Sequence, residues 1–305
     1  GDAADARGYH VSSDDSGHTW SEPREITGQV LPAPDEQLPM FGPNNGIVLD
    51  SGRLVVPMYY ANQSANAWTP TVIYSDDGGE TGQRSVDAVP GQGVNETAVV
   101  QVANGDMYAV ARDNSGDENT QKRFFRSTDG GKTWTEAGDV HPFVPEVSCQ
   151  HSMVARGNRI FLATPEQGGR RDGRLKTGRY DVGRSDNVQW EEDDLQLTPD
   201  GFAYSTMALH DSAVHVVYEA DQYASLEYVQ VRLWGVNAAV ADQPQQMQSS
   251  TRLVGVCESR PERRVLVERG VLGCLEDALL AAPARDCVGD ACRLLCDGPA
   301  RTDCE

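Results

Sequence analysis

Glu96 and Arg112 are the two side chains whose types and placement could share chemistry. Glu96 stands at the start of the extended run Val94-Asn-Glu-Thr-Ala-Val-Val100, and Arg112 ends the next, Ala109-Val-Ala-Arg-Asp113. A guanidinium binds a carboxylate through a planar fork that lysine cannot imitate, and a carboxylate can do acid–base work beside it. Each also has an ordinary reading, Glu96 as a solvated strand end and Arg112 as half of a surface ion pair. Together, at neighbouring strand ends, they are candidates for groups that meet one ligand. Cys149 is a weaker candidate, because no base stands beside it in sequence, and a small buried side chain accounts for it better than a nucleophile.

The elements that must position these groups read as short strands joined by turns. Gly46–Asp50, Arg53–Tyr60 and Thr71–Tyr74 form a first set, with Asp50-Ser-Gly52 as a turn. Thr97–Val102, the hairpin signal Asn104-Gly105 and Met107–Arg112 form a second. His151–Ala155 and Ile160–Ala163 belong to a third, and Tyr204–Leu209, Val214–Glu219 and Leu226–Trp234 to a fourth. Helical periodicity is missing from this region. A turn punctuates the sets: Ser127-Thr-Asp-Gly-Gly-Lys-Thr-Trp134 recurs as Ser13-Asp-Asp-Ser-Gly-His-Thr-Trp20 and as Ser75-Asp-Asp-Gly-Gly-Glu-Thr81, where Gly82 replaces the Trp. Ser185-Asp-Asn-Val-Gln-Trp190 reads as a shortened copy. The starts lie about 50–60 residues apart, the length of a four-stranded propeller blade. Asp129 is expected to bond its own backbone two residues on, while Gly130 and Gly131 accept positive φ.

At 305 residues and a formal charge of -20, the chain can bury a large core, and it lacks the basic face that nucleic acid or an anionic membrane requires. No stretch approaches the ~18 apolar residues of a membrane-spanning helix. After Val236 the character changes. Residues 241–252 read as a polar linker and 253–305 as a tail holding Cys257, Cys274, Cys287, Cys292, Cys296 and Cys304. An even set so close together reads as a disulfide framework and implies a secreted or luminal protein, with the lysosome or cell surface as possible sites. The Cys292/Cys296 spacing could mimic a metal site, but no nearby histidine or matching pair supports one, so neither metal nor cofactor is expected. Apolar spacing over Val265–Ala282 is compatible with one helix.

S-x-D-x-G-x-T-W is the Asp box, and Asn95-Glu-Thr-Ala-Val-Val100, then Ala111-Arg-Asp113, then a box, closely resembles the sialidase family. The resemblance covers roughly residues 8 to 236. It extends to the loop Thr164-Pro-Glu-Gln-Gly-Gly-Arg-Arg-Asp172, which carries Arg171 with Arg170 as a rival, and to Ala203-Tyr-Ser-Thr-Met207 and Val217-Tyr-Glu219. Tyr59, after Leu54-Val-Val-Pro57, resembles an aromatic lining the sugar pocket. The resemblance implies Tyr204 as nucleophile and Glu96 as the base that draws off its proton. Arg112 and Arg171 would bind the sialic acid carboxylate, and Glu219 would steady the family's first arginine. That arginine, in a Phe/Tyr-Arg-Ile-Pro segment, and the acid/base aspartate after it have no match here and are expected to precede Gly1.

The expectation is therefore all-β: a six-bladed sialidase-type propeller over 1–240 with its first one to two blades missing, then linker and tail. The implied activity is exo-α-sialidase, releasing terminal sialic acid from glycoproteins, glycolipids and oligosaccharides with retention, with the 305-residue chain inactive alone. A trans-sialidase and a non-catalytic propeller that binds glycan or protein are the alternatives. No nucleic-acid partner and no transmembrane segment are expected.

Overall fold

The computed structural model describes residues 6–86, 93–114, 122–137, 148–183 and 187–233, and the backbone of 267–271. The chain divides into two compact units, Gly1–Thr206 and Met207–Glu305. The expected linker, the boundary near 240 and all six tail cysteines fall outside the described residues.

The first unit opens with a two-stranded ribbon, β1 (Tyr9–His10) and β2 (Arg24–Glu25), and a single helical turn, α1 (Thr27–Val30). Three antiparallel meanders follow. In the first, β3 (Glu36–Phe41) and β4 (Ile47–Val48) both pair with β5 (Leu54–Asn62), which pairs with β6 (Ala67–Ser75), and β6 with β7 (Gln83–Arg84). The second is β8 (Val94–Gln101), β9 (Met107–Asp113), β10 (Arg123–Ser127) and β11 (Thr135–Glu136). The third is β12 (Ser152–Arg156), β13 (Arg159–Gln167), β14 (Arg171–Tyr180) and β15 (Val188–Trp190), with β16 (Leu195–Gly201) also on β14. A fourth meander, β17 (Ser205–His210), β18 (Ala213–Ala220), β19 (Ser225–Arg232) and β20 (Val267–Val271), belongs to the second unit apart from its first two residues. Consecutive strands pair in chain order, the topology of a propeller blade.

The apolar runs of the second sheet follow from burial on both faces. Ala98, Val100, Tyr108, Val110 and Phe124 pack with Met153, Ile160 and Leu162 of the third sheet. Val99, Met107, Ala109, Ala111 and Phe125 pack with Val55, Val72 and Tyr74 of the first. Successive side chains point to opposite faces, so a strand sandwiched between two sheets is apolar at every position rather than at every second one.

The recurring turns join the last two strands of a sheet. In the turn after β10, the Gly131 N–H donates to Ser127 Oγ at 2.9 Å, and the Thr133 N–H and hydroxyl donate to the two Asp129 oxygens at 3.0 and 2.6 Å. The same bonds recur from Gly79 and Thr81 to Ser75 and Asp77, and from Gly17 and Thr19 to Ser13 and Asp15. The carboxylate thus reaches three and four residues on, through Lys132 and Thr133, and not two as expected. Gly130 and Gly131 take φ of 69° and 85° to let the chain wrap around it.

Two expectations change. Residues 164–172 are mostly strand, not loop: β13 runs to Gln167 and β14 starts at Arg171, leaving a three-residue turn. Residues 267–271 pair antiparallel with β19, so strand replaces the helix expected there. An edge position on a sheet with an open partner strand outweighs a weak apolar periodicity. Among the described residues, no helix is long and apolar enough to cross a membrane.

Candidate active site

A β-bulge builds the first half of the site. Val94 lies opposite Asp113 and Thr97 opposite Ala111, so Asn95 and Glu96 together face the single residue Arg112. Asn95 holds the bulge, its Oδ1 accepting the Glu96 N–H at 2.8 Å and its carbonyl accepting the Thr97 hydroxyl at 2.7 Å. The bulge turns Glu96 onto its neighbour across the strand, and Arg112 Nη1 donates to Glu96 Oε2 at 2.8 Å. Both side chains are largely buried, 12% and 7% exposed, so neither ordinary reading applies: Glu96 is not a solvated end, nor the pair a surface one. Burial opposes the Arg112 charge, yet the Glu96 carboxylate more than compensates and holds the guanidinium protonated.

Tyr204 supplies the second half. Its hydroxyl donates to Glu96 Oε1 at 2.6 Å, and Arg112 Nη1 lies 3.5 Å from the same hydroxyl. The segment before it is seated by Phe202, fully buried, whose ring occupies the space over Gly173: a Cβ there would come within 2.2 Å of the ring. Burial, then the hydrogen bond and charge of Glu96, push the Tyr204 phenol up to about 12, with Arg112 and Arg170 pulling the other way. The side chain is a neutral phenol at physiological pH, and its proton already points at a carboxylate.

The two arginines of the following turn separate. The Arg170 guanidinium lies 5.2 Å from the centroid of the Tyr204 ring, and its Nη2 donates to the Ser148 carbonyl at 3.4 Å. Arg171 is 59% exposed and faces Asp200 at 3.8 Å. The residue brought to Tyr204 and Arg112 is therefore Arg170, not Arg171. Arg170 is in the turn with φ of 57°, whereas Arg171 begins β14 and is exposed. Ser148 joins the two arginines at the site, its Oγ accepting from Arg112 Nη2 at 3.0 Å, with Asn114 Oδ1 at 3.3 Å. No sequence signal marks Ser148, which takes φ of 53°.

Tyr59 on β5 is half-buried, edge-on to Trp68 with ring centroids 5.2 Å apart. Burial raises its phenol, and the Glu96 charge adds to this while Arg112 opposes it, which marks Tyr59 as a neighbour of the cluster. Glu219 is half-buried on β18 in the second unit. Cys149 is fully buried and its thiol is pushed up to about 11, chiefly by burial, against the pull of Arg170, Lys122 and Arg112. It is not a nucleophile at neutral pH.

The chain is similar to known proteins. The BNR repeat-like domain family matches residues 1–216. A sialidase of Bacteroides fragilis (strain YCH46) is 28% identical over 225 residues, covering 69% of this chain and 39% of that protein. Sialidase-3 of Mus musculus is 30% identical over 168 residues, covering 49% of this chain and 38% of its own. The Hadza microbial sialidase Hz136 superimposes with a TM-score of 0.61 at 27% identity over 70% of this chain and 42% of its own. The chain spans about two fifths to three fifths of the length of the bacterial relatives it matches.

Proposed function

Because the chain belongs to the sialidase family, with its BNR repeats and propeller fold, we propose that it is part of an exo-α-sialidase that releases terminal sialic acid with retention. The observation that carries the reading is the hydrogen bond from Tyr204 to Glu96 with Arg112 and Arg170 beside it. Sialic acid bears a carboxylate on its anomeric carbon, and guanidinium forks suit it. Arg112 and Arg170 hold that carboxylate, Arg170 taking the place expected of Arg171. Tyr204 Oη attacks the anomeric carbon as the bond to the leaving oxygen breaks, and its proton passes to Glu96 Oε1. Water then displaces the phenolic oxygen, which takes its proton back from Glu96. The family's acid/base aspartate would give a proton to the leaving oxygen and take one from the water, and the second inversion restores the configuration. A neutral phenol approaches an anomeric centre beside a carboxylate with less repulsion than a second carboxylate would. Tyr59 lines the pocket, and Glu219 is assigned to the family's first arginine.

The whole protein would complete six blades and supply that arginine and the acid/base aspartate, which no segment of this sequence matches. The 305-residue chain alone is expected to turn over poorly, since a general acid is commonly worth about 10²–10⁴-fold. Its carboxylate-binding half is testable as it stands. Calorimetric titration with free sialic acid is expected to show binding that Arg112→Ala and Arg170→Ala each weaken at least about tenfold, a lost charge-assisted contact, while Arg171→Ala leaves it unchanged. Equal loss from all three variants, or from none, would overturn the assignment. Turnover of a fluorogenic sialoside by the longer protein, abolished in Tyr204→Phe with binding retained, separates an enzyme from a glycan-binding propeller. Release of free sialic acid rather than transfer to added lactose separates hydrolase from trans-sialidase.

A further inference from the structure

Tyr204 is useful only if its hydroxyl is aimed at Glu96, and the aim depends on the peptide that follows it. Gln150, fully buried just before β12, grips both backbone groups of Ser205, the residue that follows Tyr204. Its Oε1 accepts the Ser205 N–H at 2.8 Å, and its Nε2 donates to the Ser205 carbonyl at 2.9 Å. The same Nε2 faces the His151 carbonyl at 2.8 Å and Asn44 Oδ1 at 2.6 Å. Every atom facing Nε2 is an acceptor and the one facing Oε1 is a donor, so the amide has one orientation. Ser152 adds a hydroxyl contact to Ser205 Oγ at 2.8 Å.

We infer that Gln150 is a positioning residue whose amide locks the backbone at Ser205 and thereby sets the Tyr204 ring against Glu96. The side chain does what a neighbouring strand would do for Ser205, but from a single residue that the first sheet also holds through Asn44. His151 completes the mount: its Nε2–H donates to the Val110 carbonyl at 2.9 Å, tying this segment to β9, the strand that carries Arg112. Nucleophile, base and arginine are thus registered through one buried segment. The catalytic meaning of this rests on the proposed role of Tyr204, whereas the positioning itself does not.

The test uses the full 305-residue chain with tyrosines labelled with ¹³C at Cζ, the Tyr204 signal being identified by its loss in Tyr204→Phe. At pH 11 the wild-type Tyr204 is expected to remain mostly phenol, in line with its value of about 12. In Gln150→Met, which keeps the bulk and loses the hydrogen bonds, Tyr204 is expected to slip from Glu96 and ionise at a lower pH than in the wild type, part of the rise being due to burial and retained. The Tyr180 signal, from a phenol bonded to Asp106 at 2.7 Å, should not move and reports the fold. Asn44→Ala, which removes one of the amide's acceptors on a half-buried loop, is expected to shift Tyr204 in the same direction by less. An unmoved Tyr204 signal in a folded Gln150→Met would overturn the inference. If that variant does not fold, an unmoved signal in Asn44→Ala does so. In the longer protein, Gln150→Met should lower kcat about 10²-fold, the usual cost of a reacting group misplaced by ~1 Å, with KM nearly unchanged. Full turnover in Tyr204→Phe would sink the nucleophile and leave the ¹³C result to judge the positioning alone.

Discussion

Arg170 and Arg171 carry the same side chain one position apart, and the backbone alone decides which of them meets the site. A left-handed turn residue projects away from the alternation of the strand, so Arg170 reaches the Tyr204 ring while Arg171 faces Asp200 and solvent. Tyr204 makes a pH prediction at the same scale. Its folded value of about 12 lies above the unfolded value of about 10, so the folded state holds the proton more tightly. The stability this contributes is fully present below about pH 10 and is lost as pH rises toward 12. Thermal melts from pH 9 to 12 should show the wild type losing Tm faster than Tyr204→Phe, and parallel curves would show that Tyr204 is not held by Glu96.

At the scale of elements, two devices set the geometry. One is the close approach of β14 to the segment carrying Tyr204, which Gly173 permits because Phe202 fills the volume its side chain would need. Gly173→Ala should displace Phe202, destabilise by about 1–3 kcal/mol in urea unfolding, as overpacking does, and move the Tyr204 signal. Loss of stability with an unmoved signal would mean that the seat of Phe202 does not govern Tyr204. The other device is the repeated turn. Met107 pairs with Ser127 while Arg112 lies five residues further along β9, so the turn sits about 17 Å from the site at ~3.4 Å per residue. Its role is structural, through a carboxylate that caps its own loop. Asp15 and Asp77 are held down to about 2, mainly by the hydroxyls and N–H groups of Thr19 and Thr81. Values depressed in the folded state contribute stability that is present above about pH 4 and lost as pH falls through 2. A Tm measured between pH 5 and 2 should fall less steeply in Asp77→Asn than in the wild type.

Across the first unit, stability resides in the seams between sheets. Phe124 lies 5.8 Å from Tyr108 and 6.2 Å from Trp190 by ring centroids, so it bridges the second and third sheets. Phe124→Ala should cost about 3–5 kcal/mol in chemical denaturation, the range for a buried aromatic. A cost below 1 kcal/mol would show that the seam collapses around the gap. Polar ties reinforce the seams. Asp106 on the second sheet accepts from Tyr180 of the third at 2.7 Å, and Arg53 of the first donates to the Gly130 carbonyl at 2.8 Å. The site shares this construction, for the residues that hold Tyr204 in place come from three sheets.

What the sequence determined by itself was local. The turns were legible because Ser, Asp, Gly and Thr at fixed offsets satisfy one another within eight residues, whatever surrounds them. The strands β8, β9 and β13 were legible because burial leaves them largely apolar, whereas β14, polar in sequence, was not. The short β3 and β4, half-exposed and broken by a loop, left only a partial trace. Glu96 and Arg112 could be paired from sequence since they belong to adjacent strands, but the bulge that makes them touch depends on one residue of register, to which composition is blind. Arg170 over Arg171, Ser148 between two arginines and Gln150 behind Tyr204 were decided only in three dimensions. Each depends on where a side chain points after distant segments have packed, and a lone polar residue in a sequence carries no record of the partner 55 or 106 residues away that will satisfy it.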